Sequence, residues 1–170
     1  MDGTLAIIFV VAGLTEMQDN FCPTGCFARN DAPARVTVQA GELIYNTVGQ
    51  GTEVYLGYDL GFAWGPFQPT VAVSATQGET YWAGAGFKWT SERLMPGPLF
   101  IESALLVGAQ TPGDGLDLGS PLQFRTSLGA GFKWGEGSSI TAIYDHRSNG
   151  DVAYPNPGIE TLTLRYAHAF

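Results

Sequence analysis

At 170 residues the chain suits one domain, and a net charge of −8 excludes the clustered basic surface that nucleic-acid binding needs. Only 14% of residues are charged, against about 25% in ordinary soluble domains. With 23 glycines and 12% aromatics, few long helices are expected, and the balance favours a β-barrel facing lipid over a soluble sandwich.

The amino-terminal segment, residues 1–33, stands apart from the rest. Thr4–Leu14 is an apolar run too short to span a bilayer as a helix. It has the length of a signal-peptide core, with Val10-Val11-Ala12 as a cleavage site, but Asp2 stands where a basic residue is expected. An apolar strand or a packed terminal segment fits equally well. Cys22 and Cys26 bracket a turn-prone Pro-Thr-Gly spacer; two cysteines without a nearby His cannot fill a tetrahedral zinc site. A local disulfide ranks first, free thiols second.

From residue 34 onward strands follow one another. Val36, Val38 and Ala40 alternate with Arg35, Thr37 and Gln39, and Asn46–Gly51 supplies a turn. Val54, Leu56, Tyr58, Leu60, Phe62 and Trp64 share one bulky face of the next strand, which Gly65-Pro66 ends. Phe67–Ala75, Tyr81–Trp89 and Leu99–Ala109 follow, the last after Pro96-Gly97-Pro98. A loop rich in Gly, Asp and Pro precedes a strand with Phe124, Thr126, Leu128, Ala130, Phe132 and Trp134 on one face. Gly135-Glu136-Gly137 is a tight turn into the final hairpin, residues 138–168. The expected fold is all-β: an eight-stranded antiparallel transmembrane β-barrel over 34–170, with aromatics at strand ends. A lipocalin-like barrel, with the same faces turned inside out, is the soluble alternative.

The final hairpin carries the chemistry. Side chains two apart on a strand project to one side, so Ile140, Ala142 and Tyr144 lead on to His146 and Ser148. On the return strand Glu160 heads the face of Leu162, Leu164 and Tyr166. A hairpin folded about residues 151–154 sets Glu160 opposite His146. A hydroxyl, a base and a carboxylate to orient that base are what serine hydrolysis requires. Asn156, or the backbone N–H groups around Asn149 and Gly150, would supply donors for the oxyanion. The plain alternative is a set of solvated rim residues on a structural barrel, with Asn149-Gly150 and residues 155–158 serving as turn chemistry. His168 is expected to be structural.

These residues also carry a resemblance. His146-Arg147-Ser148-Asn149, followed by Pro155-Asn156-Pro157-Gly158-Ile159-Glu160, resembles the H-x-S-N and P-N-x-G-I-E elements of the lipid A 3-O-deacylases, the PagL-type acyloxyacyl hydrolases. Leu128–Trp134 resembles a further strand of that family, and Phe100-Ile101-Glu102 a weaker segment. The resemblance implies a bacterial outer-membrane serine esterase that removes an ester-linked 3-O hydroxyacyl chain from lipid A. Ser148 would be its nucleophile, His146 the general base, Glu160 the orienting acid and Asn156 an oxyanion donor. Arg147, where an aromatic is expected, would meet a lipid phosphate. The expected partner is lipid A or lipopolysaccharide in the outer leaflet, and the reading leaves room for a homodimer. No cofactor and no metal is expected. The competing function is a non-catalytic barrel serving as a structural or assembly module, or an esterase of other lipids.

Overall fold

The computed structural model describes residues 3–111 and 113–170. It opens on helix α1 (Thr4–Glu16) and one π-helical turn (Met17–Phe21). The strands are β1 (Arg29–Asp31), β2 (Arg35–Tyr45), β3 (Val48–Asp59), β4 (Phe62–Trp64), β5 (Gln68–Thr76), β6 (Tyr81–Thr90), β7 (Leu99–Gln110), β8 (Leu122–Trp134), β9 (Ser138–Ser148) and β10 (Ile159–Ala169). Eight of them close into an antiparallel barrel in the order β10-β2-β3-β5-β6-β7-β8-β9. The seam pairs β10 with β2 from Glu160↔Ile44 to Ala169↔Arg35, so the sheet has no open edge to expose unpaired backbone. The start of β2 and the end of β10 lie at one end of the barrel. The connections that follow β2, β5, β7 and β9 lie at the other.

The two faces of the wall have opposite chemistry. On β2, Val38 is 47% exposed while its neighbour Gln39 is 1% exposed. Val54 and Leu56 on β3, Ile140 and Tyr144 on β9, and Leu162 and Leu164 on β10 point outward in the same way. Inside, Glu53 accepts from Arg125 at 2.8 Å and from Arg147 at 3.0 Å. Arg125 also donates to Asp145 at 2.6 Å, and Arg165 to Glu102 at 2.7 Å. Lys88 pairs with Asp59. These four cations and four anions balance, as buried charges must. Tyr55 and Trp82 lie under the Arg125 guanidinium at 4.9 and 5.5 Å. Small and large residues interlock: a Cβ on Gly131 would stand 2.3 Å from the Phe100 ring. A polar lumen inside an apolar wall excludes the inverted, lipocalin-like arrangement.

The turn expected over Asn46–Gly51 is confined to residues 46–47, with 48–51 already in β3, and two further regions depart from the sequence expectation. The run from Val54 to Trp64, expected as one strand, is two. β3 stops at Asp59, the Phe62 N–H donates to the Leu60 carbonyl at 2.8 Å across Gly61, and β4 leaves the barrel to pair with β1. Alternation of apolar residues suits a barrel wall and a flanking hairpin equally, so it does not mark where one gives way to the other. At the amino terminus, α1 is a helix laid against the outside of β6, β7 and β8. Its buried Glu16 accepts from Trp89 Nε1 at 2.6 Å and Arg93 Nε at 3.0 Å, and Phe9 packs on Phe67 at 5.4 Å. Trp89, expected in an interfacial girdle, is covered by this contact. Among the described residues no helix is long and apolar enough to cross a membrane. Cys22 and Cys26 form a disulfide in the turn that follows α1.

A candidate active site on the outer wall

β9 and β10 run side by side in the register Glu160↔His146, Leu162↔Tyr144 and Leu164↔Ala142. The parity that sends Tyr144 and Leu162 outward sends His146, Ser148 and Glu160 outward too. On the other flank, β8 sets Thr126 beside His146 and Phe124 beside Ser148. Glu160 Oε1 lies 3.2 Å from His146 Nδ1, with the carboxylate side chain 30% exposed. That contact assigns the proton of the neutral imidazole to Nδ1 and leaves Nε2 as the basic nitrogen.

His146 and Ser148 face outward yet are covered, at 8% and 1% exposure. The covering comes from the connection between β9 and β10. Gly158, at φ +69°, passes so close to the imidazole that a Cβ there would meet His146 Cε1 at 2.8 Å; only glycine combines that backbone conformation with that approach. Gly150, also at positive φ, lies against the Phe124 ring. Residues 113–121 fold over the barrel mouth, where Leu118 packs with Leu43 and Ile159. The neighbour of Glu160 in sequence is thereby anchored in the lumen.

His146 Nε2 and Ser148 Oγ are both buried, and neither has a hydrogen-bond partner among the described residues. Buried polar atoms are rarely left unpaired, because each costs about 1–3 kcal/mol. Here two of complementary type, an acceptor nitrogen and a hydroxyl, lie two residues apart on one face. Glu160 and His146 are hydrogen-bonded to each other, whereas His146 Nε2 and Ser148 Oγ are not.

The residues expected to bind an oxyanion come together as a hydrogen-bonded loop. Asn156 Oδ1 accepts from the Asn149 backbone N–H at 3.0 Å. The Asn149 side-chain amide is ringed by the carbonyls of Leu118, Pro155 and Ala153 at 2.8, 2.9 and 3.0 Å. Its N–H and carboxamide are thus committed to holding the loop, and Asn156 Nδ2 donates to Asp151 at 2.7 Å. In the sequence Asp151 marks only the hairpin turn; an acidic residue in a polar loop gives no periodic signal of a partner.

Arg147 does not stand where it was expected. Lying between His146 and Ser148 in sequence, it points to the opposite side of the wall, 2% exposed, and donates to Glu53 inside the barrel. Strand alternation forces this placement, which removes it from any lipid phosphate outside. His168 Nδ1 lies 3.1 Å from Ser138 Oγ at the far end of the barrel, remote from the site. Among the described residues no three His, Cys, Asp or Glu side chains gather as a metal site.

A small closed barrel with an apolar exterior and a serine, histidine and glutamate set into its outer wall defines a lipid-facing barrel protein with hydrolase-type side chains. Comparison with known proteins is specific: the lipid A 3-O-deacylase (PagL) family model matches residues 50–169. The chain belongs to that family. It is 34% identical over 107 residues to the lipid A deacylase PagL of Pseudomonas aeruginosa, covering 52% of this chain and 60% of that protein. With the lipid A deacylase PagL of Bordetella bronchiseptica it shares 32% identity over 84 residues, 48% of this chain and 44% of that protein. The matched region therefore spans less than two thirds of either relative's length. The crystal structure of the outer membrane enzyme PagL superimposes with a TM-score of 0.65 at 23% identity, covering 80% of this chain and 99% of that one. Neisserial surface protein A gives a TM-score of 0.59 at 9% identity over 84% of this chain and 99% of that one. These two likenesses carry the fold alone.

Proposed function

We propose that the chain is an outer-membrane esterase that hydrolyses the 3-O-linked hydroxyacyl chain of lipid A. Membership of the deacylase family supports the substrate class. The observation that carries the reaction is the pairing of Glu160 with His146 Nδ1 while His146 Nε2 and Ser148 Oγ stay buried and unpartnered on the same face.

Ser148 Oγ attacks the acyl carbonyl carbon as His146 Nε2 takes its proton, and Glu160 stabilises the resulting imidazolium through Nδ1. Collapse of the tetrahedral intermediate breaks the ester bond, and His146 returns the proton to the departing sugar oxygen. Water then attacks the acyl-enzyme with His146 again as base, releasing the hydroxy fatty acid and regenerating Ser148. An N–H of Asn156, with backbone amides near Gly150, stabilises the oxyanion.

The position of the site suits this substrate. Barrels of the outer membrane carry short turns on the periplasmic side and longer loops outside. The site lies on the wall just below the loop end, the depth at which an acyl ester of an outer-leaflet lipid sits. The flanking residues Tyr144 and Leu162 offer apolar surface to acyl chains, so substrate arrives by lateral diffusion in the leaflet. Arg147 has no part in headgroup recognition.

The test is mass spectrometry of lipid A from cells expressing the native chain or Ser148→Ala. Loss of one hydroxyacyl chain with the native chain only is the expected result. Identical spectra, with both barrels folded in the membrane, would overturn the deacylase reading in favour of a structural barrel or an esterase of other lipids.

A further inference from the structure

A carboxamide that stabilises an oxyanion must present N–H rather than C=O. The two ends of the group are nearly the same shape, so its surroundings must choose the orientation. At Asn156 two partners make that choice. The Asn149 backbone N–H, a donor, lies 3.0 Å from Oδ1, and the Asp151 carboxylate, an acceptor, lies 2.7 Å from Nδ2. A third bond closes the ring: the Asp151 backbone N–H donates to Asn149 Oδ1 at 2.9 Å. Gly150 and Asp151 both have positive φ, +68° and +64°, and the turn is spanned by a 3.4 Å bond from Val152 N–H to the Asn149 carbonyl.

We infer that Asp151 is a positioning residue for the oxyanion donor. It holds Asn156 Nδ2 toward the site, and one of the two Nδ2 hydrogens satisfies the carboxylate while the second remains for the developing oxyanion. The inference rests on the deacylase reading above, and it assigns a role to a residue outside the Ser148-His146-Glu160 relay.

The side chain is separable from the fold. Asp151 is exposed, and its contribution to the turn comes through its backbone N–H. Glycine adopts the same positive φ without cost, so Asp151→Gly deletes the acceptor and leaves the turn. Asp151→Asn keeps an acceptor oxygen and tolerates the same backbone conformation.

The experiment uses the refolded full chain and lipid A in mixed detergent micelles, with ¹⁵N NMR of the Asn156 side-chain amide as a readout independent of turnover. Asp151→Gly is expected to lower kcat about tenfold, a fraction of the loss from deleting an oxyanion donor, with KM within about twofold. Asp151→Asn should recover most of that loss. Asn156→Ala and the Asn156→Ala/Asp151→Gly double variant should have equal kcat, because Asp151 acts only through Asn156. The Asn156 amide protons should shift in Asp151→Gly. Native kcat in Asp151→Gly, additive losses in the double variant, or unmoved Asn156 resonances would each overturn the inference. A native chain that folds but hydrolyses no lipid A would instead reject the deacylase reading, with the resonance shift still deciding whether Asp151 holds Asn156.

Discussion

The two faces of strand β9 share one backbone and four consecutive residues, yet they treat polar groups in opposite ways. On the inner face Asp145 and Arg147 are tied to Arg125, Gln39 and Glu53. On the outer face, among the described residues, the His146 ring is hydrogen-bonded only to Glu160, and Ser148 Oγ has no partner. The inner groups are cohesive: they cross-brace β3, β8 and β9 across the lumen and balance each other's charge. The outer groups contribute little to cohesion and sit where lipid meets the wall. The inner network leaves Asp145 Oδ1 and Arg147 Nε unpaired as well, so what separates the two faces is the paired charge of the inner one, which braces the strand behind His146 and Ser148.

The largest expected effect breaks the outer face alone. Ser148→Ala or His146→Ala should lower ester hydrolysis by about 10⁴-fold or more, as loss of one member of a relay does. The heat-modifiable mobility of the folded barrel in gels should not change. If Ser148→Ala also unfolded the barrel, the separation between the two faces would fail. The next effect breaks the inner face. Glu53→Ala leaves Arg125 and Arg147 without their shared carboxylate and should destabilise the barrel by about 3–5 kcal/mol. A shifted midpoint in urea-driven unfolding in lipid vesicles would register it. Activity per folded molecule should fall far less than in Ser148→Ala.

Glu160→Gln sharpens the comparison. It keeps the shape but removes the charge that stabilises the imidazolium, so kcat should fall about 100-fold with little change in KM. The smallest effect lies outside the strands, in the turn after β6. Glu92 is half-buried there, and that partial burial pushes its carboxyl up, but the Arg35 hydrogen bond and charge, with Lys133 and Lys88 beyond, outweigh it and hold the group below its ordinary 4.5. A lowered carboxyl stabilises the fold above the unfolded value and loses that contribution as pH falls through the folded value. Acid unfolding of the native barrel should therefore show a component below about pH 4.5 that Glu92→Gln lacks. Superimposable acid profiles would remove Glu92 from the account.

The sequence made the barrel legible because lipid outside and polar groups inside impose a period of two that survives over whole strands. Val36 to Ala40, Phe124 to Trp134 and Ile140 to Tyr144 all show it. The hairpin register was legible for the same reason, since parity and loop length set Glu160 opposite His146. The parity that put His146 and Ser148 on one face also puts Arg147 on the other, so its expected phosphate contact was assigned by neighbourhood in sequence against the alternation itself. Elsewhere the pattern carried no information. Residues 62–64 alternate like a wall strand but form a flanking pair with β1. The apolar run at the amino terminus is consistent with several structures, and its helix is fixed by contacts with Trp89, Arg93 and Phe67 far along the chain. Asp151 enters the site through hydrogen bonds in an irregular loop, where no repeat announces a partner.

The most direct test is covalent labelling of the refolded barrel with a long-chain alkyl fluorophosphonate, followed by mass spectrometry of its peptides. The expected result is a single phosphonylated residue, Ser148, with labelling lost in His146→Ala and retained in an interior variant such as Arg147→Lys that still folds. A folded native barrel that takes no label, or takes it at another hydroxyl, would contradict a serine relay on the outer wall.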